Sequence, residues 1–452
     1  MPASPSTARA INDRLALRLL QQEGPLTAGQ LKQSTGLSRP TVADLVERLT
    51  AAGLIAVVGE AGEQRRGPNA KLYGIVADRA QLAALDVRTE GVSVVVSDLV
   101  GDVLAEASAP IGGDTGTGPA VERAVALVER VVKEAGADRL HTVGIGAPGL
   151  IDPATGELRD STGLPEWHRR LVAALQDRFP EARVSVENET NLAALAEQRD
   201  GAARDRDTFV LLWLGHGTGA AVVLDGALRR GASGGTGEIG FLPVPGTQGL
   251  PSAVDCEGGF HSLAGSAAIV ELAEAYGVTV ESTAAHEPTA AGVVRGAVAS
   301  VTGSEGGDGD GDREAGPGES PAGTSASGAA PAGGSCEAST DPAQAAGATT
   351  SPKSSADAAS ADRFLDALAD RLAIGVASVV AILDPGCVVL GGEVGQAGGD
   401  TLAGRVEERM RRMSPLVTVV RPSSLGGGAV LRGALLTARD TAQDALFAPP
   451  DR

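Results

Sequence analysis

Residues Leu214–Gly240 read LGHGTGAAVVLDGALRRGASGGTGEIG, and the rest of the chain is arranged around this segment. The pattern predicts a strand end, a Gly-rich turn, a second strand over Ala220–Leu224, a hairpin turn at Asp225–Gly226 and a second Gly-rich loop that ends at Glu238. Asp-Gly between two apolar runs is a specific hairpin signal. Closely spaced glycines allow the backbone to approach a ligand or another chain segment. Glu238 is therefore either an acceptor for ligand hydroxyl groups or a solvated turn residue.

The composition predicts a cytoplasmic protein of two or three domains. The chain has 452 residues, of which 42% are hydrophobic and only 2% aromatic, so its cores must consist of Ala, Val and Leu. No apolar run is long enough to span a membrane, and no signal-peptide pattern begins the sequence. The three cysteines, Cys256, Cys336 and Cys387, lie far apart. This spacing argues for a reducing cytoplasm and against a disulfide framework or a Cys-rich metal site.

The distribution of charge suggests where a polyanion would bind. The net charge is −19, but residues 1–75 contain nine Lys/Arg and six Asp/Glu, a local charge of +3. The remaining residues contain 29 basic and 51 acidic side chains, a charge of −22. We therefore expect a polyanion to bind only at the N-terminal end.

This N-terminal end has the pattern of a winged helix-turn-helix. A helix is predicted over 6–23, and a Thr27/Gln30 capping box begins a second helix that ends at Thr35. Ser38 caps a third helix with Pro40 in its first turn. Two predicted strands, Leu54–Val58 and Lys71–Ile75, and the loop between them form the wing.

The third helix and the wing provide the candidate contacts with double-stranded DNA. The N-terminal residues of such a helix face base edges in the major groove, where an arginine can bind guanine through two hydrogen bonds. Wing arginines suit phosphates or the minor groove. The alternative is a small helical dimerisation domain with a charged hairpin. The predicted DNA-binding residues are Ser38, Arg39, Pro40, Thr41, Arg65 and Arg66.

The rest of the chain alternates strands with helices, which is typical of an α/β fold. One segment differs: residues 302–361 contain no Val, Ile, Leu, Met, Phe, Tyr or Trp, and consist largely of Gly, Ala, Ser, Pro and acids. Such a segment has nothing to bury, so we expect a disordered insertion within a loop. Later elements predicted here include helices over Ser262–Tyr276 and 401–412.

The chain resembles the ROK family of repressors, open reading frames and sugar kinases. The segments that carry the resemblance are VGIGAPGLID (Val143–Asp152), VENETNLAALAE (Val186–Glu197), the opening segment, and AILDPGCVVLGGEV (Ala381–Val394). The resemblance implies a two-lobed, actin-like/ribonuclease H-like ATPase fold that binds a sugar and, in some members, ATP. It also implies a winged helix at residues 1–76, a small lobe formed by 80–205 with 425–450, and a large lobe over 206–424.

Two departures from the family pattern argue against phosphoryl transfer. Kinase members carry Asp-x-Gly-Gly-Thr-Lys after the first strand, whereas this chain reads Asp86-Val87-Arg88-Thr89-Glu90-Gly91. The glycines that would offer backbone N–H groups to phosphate are absent, and Glu90 adds a negative charge there. The catalytic Asp of the family's Asn-Asp-x-Asn motif is Glu189, which follows Asn188. A carboxylate displaced by about 1 Å can cost about 10²-fold in rate.

The sugar pocket of the family is retained in part. Glu238 matches the sugar-binding Glu, while Phe241 stands where the family has a zinc-ligating His. The zinc cysteines are missing from Ser252–Gly259 apart from Cys256, so we predict no metal. His261 aligns with a second sugar-contacting Glu, and Trp167 with the loop beside the sugar; each is also consistent with a structural role.

The sequence therefore predicts a DNA-binding transcriptional regulator, a repressor, whose body needs no cofactor and lacks kinase activity. Its candidate ligand-binding residues are Trp167, Asn188, Glu189, Glu238 and His261. The predicted partners are operator DNA, a sugar or sugar-phosphate effector, and further copies of the chain in a dimer or tetramer. The alternatives are an ATP-dependent hexose kinase with a DNA-binding module, and an interaction protein whose winged helix binds protein.

Overall fold

The computed structural model describes residues 5–61, 70–159, 164–247, 249–252, 258–279, 287–305 and 355–447. The helices are α1 (Pro5–Glu23), α2 (Ala28–Thr35), α3 (Arg39–Ala51), α4 (Thr117–Glu134), α5 (Trp167–Arg178), α6 (Glu189–Asp200), α7 (His261–Ala264), α8 (Ser266–Ala275), α9 (Thr289–Glu305), α10 (Ser355–Leu383), α11 (Gly392–Met413) and α12 (Ala429–Leu446). The strands are β1 (Leu26–Thr27), β2 (Ile55–Ala61), β3 (Ala70–Ile75), β4 (Gln81–Arg88), β5 (Gly91–Ser97), β6 (Val103–Pro110), β7 (Leu140–Ala147), β8 (Arg183–Asn188), β9 (Phe209–Leu214), β10 (Thr218–Leu224), β11 (Ala227–Arg229), β12 (Cys387–Gly391) and β13 (Val419–Pro422). No described helix is long and apolar enough to cross a membrane.

The N-terminal domain is a winged helix-turn-helix with helices α1–α3 and the three-stranded sheet β1-β3-β2, in which β1 lies between α1 and α2 along the chain. The predicted capping box is present: Gln30 N–H donates to Thr27 Oγ1 at 3.2 Å, and Thr27 N–H donates to Gln30 Oε1 at 2.9 Å. Gly36 ends α2 with φ +69°, a conformation that favours glycine. The inward stripe of α3 is buried and consists of Val42, Leu45, Val46 and Leu49.

The body contains two five-stranded sheets with the same strand order. One is β6-β5-β4-β7-β8 and the other β11-β10-β9-β12-β13. In the first sheet, β4, β5 and β6 pair antiparallel, and β7 and β8 run parallel to β4. In the second sheet, β9, β10 and β11 pair antiparallel, and β12 and β13 run parallel to β9. This repeated arrangement confirms the two-lobed, actin-like α/β fold. Each sheet packs one face against helices in its own apolar cluster, α4 and α5 for the first sheet and α7–α11 for the second, while a third cluster contains residues of both sheets.

Glycines in the opening segment make the close approaches that the sequence predicts. Asp225 and Gly226 have φ of +54° and +73°, as a type I′ hairpin turn requires, and they join β10 to β11. Gly237 has φ +92°, and a Cβ there would lie 1.8 Å from the Ala220 carbonyl oxygen. At Gly234 (φ +82°), a Cβ would lie 2.0 Å from the carbonyl oxygen of Ile151. The second loop is thus held between β10 and the segment that follows β7.

Helix α12 joins the C-terminal end of the chain to the first sheet of the body. It contacts β4, β7 and α6, and Thr142 Oγ1 donates to the Ala438 carbonyl oxygen at 3.0 Å. Beside it, the fully buried Glu197 carboxylate accepts hydrogen bonds from Ala202 N–H at 2.6 Å and Leu425 N–H at 3.1 Å, and from the Ser423 hydroxyl. These bonds connect α6 to the segment that leads from β13 into α12.

Three sequence-based element assignments need correction. The helix predicted over Ser262–Tyr276 is two helices, because Gly265 adopts an extended conformation between α7 and α8. The helix predicted over 401–412 begins at Gly392 and contains a kink at Gly399, where φ is +51°. The predicted disordered insertion is too long at both ends, since α9 continues to Glu305 and α10 begins at Ser355. The intervening residues 306–354 lie outside the described part of the chain.

Candidate functional site

The exposed start of α3 is the candidate DNA-contacting surface. Ser38 caps the helix, since Thr41 N–H donates to Ser38 Oγ at 3.3 Å and the two hydroxyl groups are 2.7 Å apart. Ser38, Arg39 and Pro40 are exposed, and Arg39 forms no ion pair with the described residues. Its guanidinium is therefore available to an external acceptor. Arg65 and Arg66 lie outside the described residues, so their predicted role in the wing stays a prediction.

Contacts with α1 fix the orientation of α3. Arg48 of α3 donates to both carboxylate oxygens of Asp13, with its Nη2 at 2.5 Å, and also pairs with Asp44. The hydrogen bond to Asp13 is the main reason that the pKa of Arg48 is raised. A helix held by such a forked contact presents Arg39 on a rigid support.

A second candidate site lies between the two sheets of the body, where an inner cavity of about 220 Å³ opens. Its lining comes from the end of β4, from Pro148, from the start of α6 at Glu189, and from the turn between β9 and β10. An outer cavity of about 530 Å³ adjoins it. Both cavities share four charged residues in their walls: Asp86, Arg88, Glu90 and Glu393.

Arg88 bridges the two lobes at the boundary between these cavities. Its guanidinium donates to Asp86 Oδ2 at 3.0 Å, to the Gly427 carbonyl oxygen at 2.9 Å, and to the Glu393 carboxylate at the start of α11. The side chains of Asp86 and Glu393 are only 6% and 9% exposed. Burial acts to lower the pKa of Arg88, but the two carboxylates outweigh it and raise that pKa. Burial also raises the pKa of Asp86. We call this cluster the Arg88 bridge.

The motif at Asn188 and Glu189 combines a helix cap with a half-buried acid. Asn188 Oδ1 accepts from Thr190 N–H at 2.9 Å and caps α6, while its Nδ2 donates to the Gly149 carbonyl at 3.1 Å and to Glu189 Oε2 at 3.0 Å. Burial, with a smaller effect from Glu238 and Asp86, raises the pKa of Glu189 to about 8. Glu189 is thus largely protonated at pH 7, and a protonated carboxyl group can donate a hydrogen bond.

Glu238 and His261 lie along the opening segment. Glu238 is close enough to Glu189 to raise its pKa, and partial burial of the Glu238 carboxyl raises its own pKa although the residue remains exposed. His261 is half-buried at the start of α7, and burial lowers its pKa. A Cβ at Gly217, which lines the inner cavity, would lie 3.9 Å from the His261 ring. The described cavity wall contains neither Glu238 nor His261.

Trp167 does not reach the cavity. It is 4% exposed, belongs to the apolar cluster of the first sheet with Leu171 and Leu175, and stacks edge-on against His168 with 4.3 Å between ring centroids. These contacts are those expected if Trp167 has a structural role, the alternative that the sequence left open. The segment that precedes it includes residues 160–163, which lie outside the described residues.

Sequence reasoning missed Glu393 and the positioning role of Arg88. The sequence shows that position 88 lacks the family's glycine, but no local pattern links Arg88 to a residue 305 positions later.

No group of three or more His, Cys, Asp or Glu side chains within the described ranges is placed to hold a metal ion. Most of the segment that corresponds to the zinc loop, 253–257, lies outside those ranges.

Comparisons with known proteins agree with this architecture. The ROK family model matches residues 83–283 and 326–441, and a MarR family model matches residues 11–67. A xylose repressor from Caldicellulosiruptor bescii is 27% identical over 240 residues, which cover 52% of this chain and 59% of that protein. The chain thus spans somewhat more than half the length of this relative.

Two solved structures share the fold. One, described as a ROK family transcriptional regulator homologous to the E. coli Mlc protein, has a TM-score of 0.67 at 20% identity and covers 97% of this chain and 98% of its own. The other, a ROK hexokinase from Thermus thermophilus, has a TM-score of 0.53 at 24% identity and covers 80% and 99%, respectively. Since the family model matches more than half of the residues, this chain belongs to the ROK family and carries a MarR-type winged helix-turn-helix at its N-terminus.

Proposed function

We propose that this protein is a DNA-binding transcriptional repressor. The observation that carries the proposal is Arg39, which is exposed at the capped start of α3 on a domain of MarR type and has no ion-pair partner among the described residues. Repressor relatives such as the xylose repressor support it. Arg39 would bind a guanine edge, Ser38, Pro40 and Thr41 would set its approach, and Arg65 and Arg66 would contact the flanking backbone.

We further propose that the body does not transfer phosphate. The Arg88 bridge occupies the boundary between the two cavities, at the position of the glycines that bind phosphate in kinase members. All three acceptors of Arg88 belong to this chain, and Asp86, Glu90 and Glu393 leave the local charge negative. Phosphoryl transfer depends mainly on positioning and on neutralising phosphate charge, and both are opposed here.

The inner cavity would instead serve as a sensor for a sugar or another small metabolite. In the wall of this cavity, a protonated Glu189 can donate to a hydroxyl oxygen. The exposed Glu238 carboxylate lies outside the described cavity wall but near Glu189, and it can accept from a hydroxyl group of a ligand that extends beyond the cavity. The lobes proposed are residues 80–205 with 425–450 and residues 206–424. A ligand that binds one relative arrangement of the lobes more tightly would shift the population of DNA-binding states in a cytoplasmic dimer or tetramer.

The test is a DNA-binding assay with the full-length protein and the DNA upstream of its own gene, repeated with a panel of hexoses, pentoses and their phosphates. We expect salt-dependent, sequence-selective binding that at least one compound changes. One observation supports the hexose kinase alternative: the chain shares its fold with the Thermus thermophilus hexokinase. Incubation with hexoses and Mg-ATP tests it, since turnover of about 1 s⁻¹ or faster, as typical kinases show, would contradict the proposal.

A further inference from the structure

A cavity of about 690 Å³ lies at the junction between the DNA-binding domain and the body, away from both candidate sites. Helix α1 forms one wall, and the end of α6 with the last turns of α12 forms the other. Two contacts hold these walls together: Arg14 pairs with Asp444 at 2.8 Å, and Gln443 Nε2 donates to Gln21 Oε1 at 2.7 Å. We call this space the junction cavity.

The junction cavity is positively charged in a strongly acidic protein. Five arginines line it together with three aspartates, a surplus of two positive charges in a chain of net charge −19. Each aspartate already has an arginine partner. Asp444 pairs with Arg14. The Asp440 carboxylate accepts hydrogen bonds from both Nη atoms of Arg199, at 3.0 and 2.5 Å. Asp200 pairs with Arg432 at 2.6 Å. The carboxylates of the wall are therefore engaged.

Three of the lining arginines are left without a carboxylate partner among the described residues: Arg18, Arg204 and Arg439. Arg439 is the most constrained. Its Nε is buried and has no hydrogen-bond acceptor within the described part of the chain, and a Cβ at Gly101 would lie 3.3 Å from its Nη1. Burial lowers the pKa of Arg439, and nearby Arg199 and Arg432 lower it further, although Asp440 and Asp200 oppose them. A buried N–H donor without an acceptor carries a free-energy cost that a bound anion would remove.

We propose that the junction cavity binds a small phosphate-type dianion, either free phosphate or the phosphate group of a metabolite. The surplus of two positive charges matches a dianion, and planar guanidinium groups bind tetrahedral oxyanions through paired hydrogen bonds. Arg18 belongs to α1, whereas Arg204 follows α6 and Arg439 belongs to α12. One anion held by all three links the DNA-binding domain to the body.

The position of the cavity separates this anion from DNA phosphates. On α1, Asp13 pairs with Arg48 of α3, whereas the next residue, Arg14, pairs with Asp444 of α12. The junction cavity therefore lies on the body side of α1, with α3 on another side. A ligand here would regulate the orientation of the winged helix without occupying the operator-binding surface.

The test is calorimetric titration of the full-length protein with inorganic phosphate at pH 7.5 and constant ionic strength, with chloride as the blank. We expect saturable binding of one phosphate per chain. Arg18→Gln and Arg204→Gln change exposed residues, and each should weaken binding about 10- to 100-fold, because a hydrogen bond to a charged group is lost. Arg439→Gln should abolish binding. The matched control, Arg130→Gln on the exposed face of α4, should leave binding unchanged.

Two results would overturn the proposal. One is the absence of saturable binding, or binding that the Arg18 and Arg204 variants retain unchanged. The other is a loss of DNA affinity in these variants that is the same with and without phosphate, because the arginines would then contact DNA. The calorimetric readout does not depend on DNA binding, so its failure is distinguishable from failure of the proposed repressor function.

Discussion

Replacing Arg88 tests whether the Arg88 bridge holds the two lobes together. In Arg88→Met, the guanidinium is removed while much of the side-chain volume remains, and two nearly buried carboxylates, Asp86 and Glu393, lose their partner. Breaking a buried ion pair by removing one member costs about 3–5 kcal/mol, because the remaining charge stays buried. We expect a loss of this size in the free energy of unfolding.

The assay is urea unfolding at pH 7, applied to a double-mutant cycle of Arg88→Met and Glu393→Gln. Since Glu393→Gln removes one of the two charges that Arg88 compensates, the double variant should be more stable than the sum of the single losses predicts. We expect a coupling energy of about 1–3 kcal/mol, in the range for charged groups in direct contact. The matched control is Arg139→Met, whose ion pair with Glu181 is largely exposed, at 76% and 72%. That pair should contribute less than about 1 kcal/mol.

The reasoning would be refuted if Arg88→Met and Arg139→Met cost the same, or if the coupling energy were near zero. Either result would mean that Arg88 contacts Glu393 without stabilising the arrangement of the lobes.

Two further predictions concern Glu189 and Gly237. The folded-state pKa of Glu189 is raised from 4.5 to about 8, so the unfolded chain ionises first and the fold is destabilised progressively as pH rises through this window. The stability of Glu189→Gln relative to the wild type should therefore increase from about pH 5 to 8, by up to a few kcal/mol. A difference that stays constant in urea unfolding at several pH values would contradict this. Gly237→Ala combines φ +92° with a Cβ 1.8 Å from a carbonyl oxygen, so it should lower the free energy of unfolding by about 2–4 kcal/mol in thermal unfolding. The control, Gly246→Ala, has φ +89° but open space around it and should lower that free energy by only about 1 kcal/mol. Equal losses in the two variants would count against close packing of the loop at Gly237.

Local patterns were sufficient to predict the elements that local chemistry determines. The Thr27/Gln30 capping box, the Ser38 cap and the Asp225–Gly226 turn each depend on a few adjacent residues, and the structure contains all three. The sequence analysis did not predict α5, although Leu171 and Leu175 lie one helical turn apart and are both buried in the apolar cluster of the first sheet. That signal was present in the sequence and would have predicted the helix.

Long-range contacts explain what the sequence could not predict. Arg88 meets Glu393 only because the two sheets face each other, and Arg439 lies beside Gly101 only because α12 crosses the first sheet. The motif around Trp167 resembles a sugar-binding loop, but the ring is buried in the core, since side-chain direction depends on packing that a motif does not encode. Domain limits and ligand contacts remain predictions for the same reason.

Arg39 provides the most direct test of the central claim, that this protein is a sequence-specific DNA-binding regulator. The measurement is fluorescence anisotropy of full-length wild type and Arg39→Ala on the upstream DNA and on a scrambled duplex, with Arg130→Ala as control. Loss of a two-hydrogen-bond contact to guanine should reduce discrimination between the two duplexes by about 1–3 kcal/mol and leave binding to scrambled DNA nearly unchanged. Wild-type binding without sequence preference, or a preference that survives in Arg39→Ala, would contradict the account.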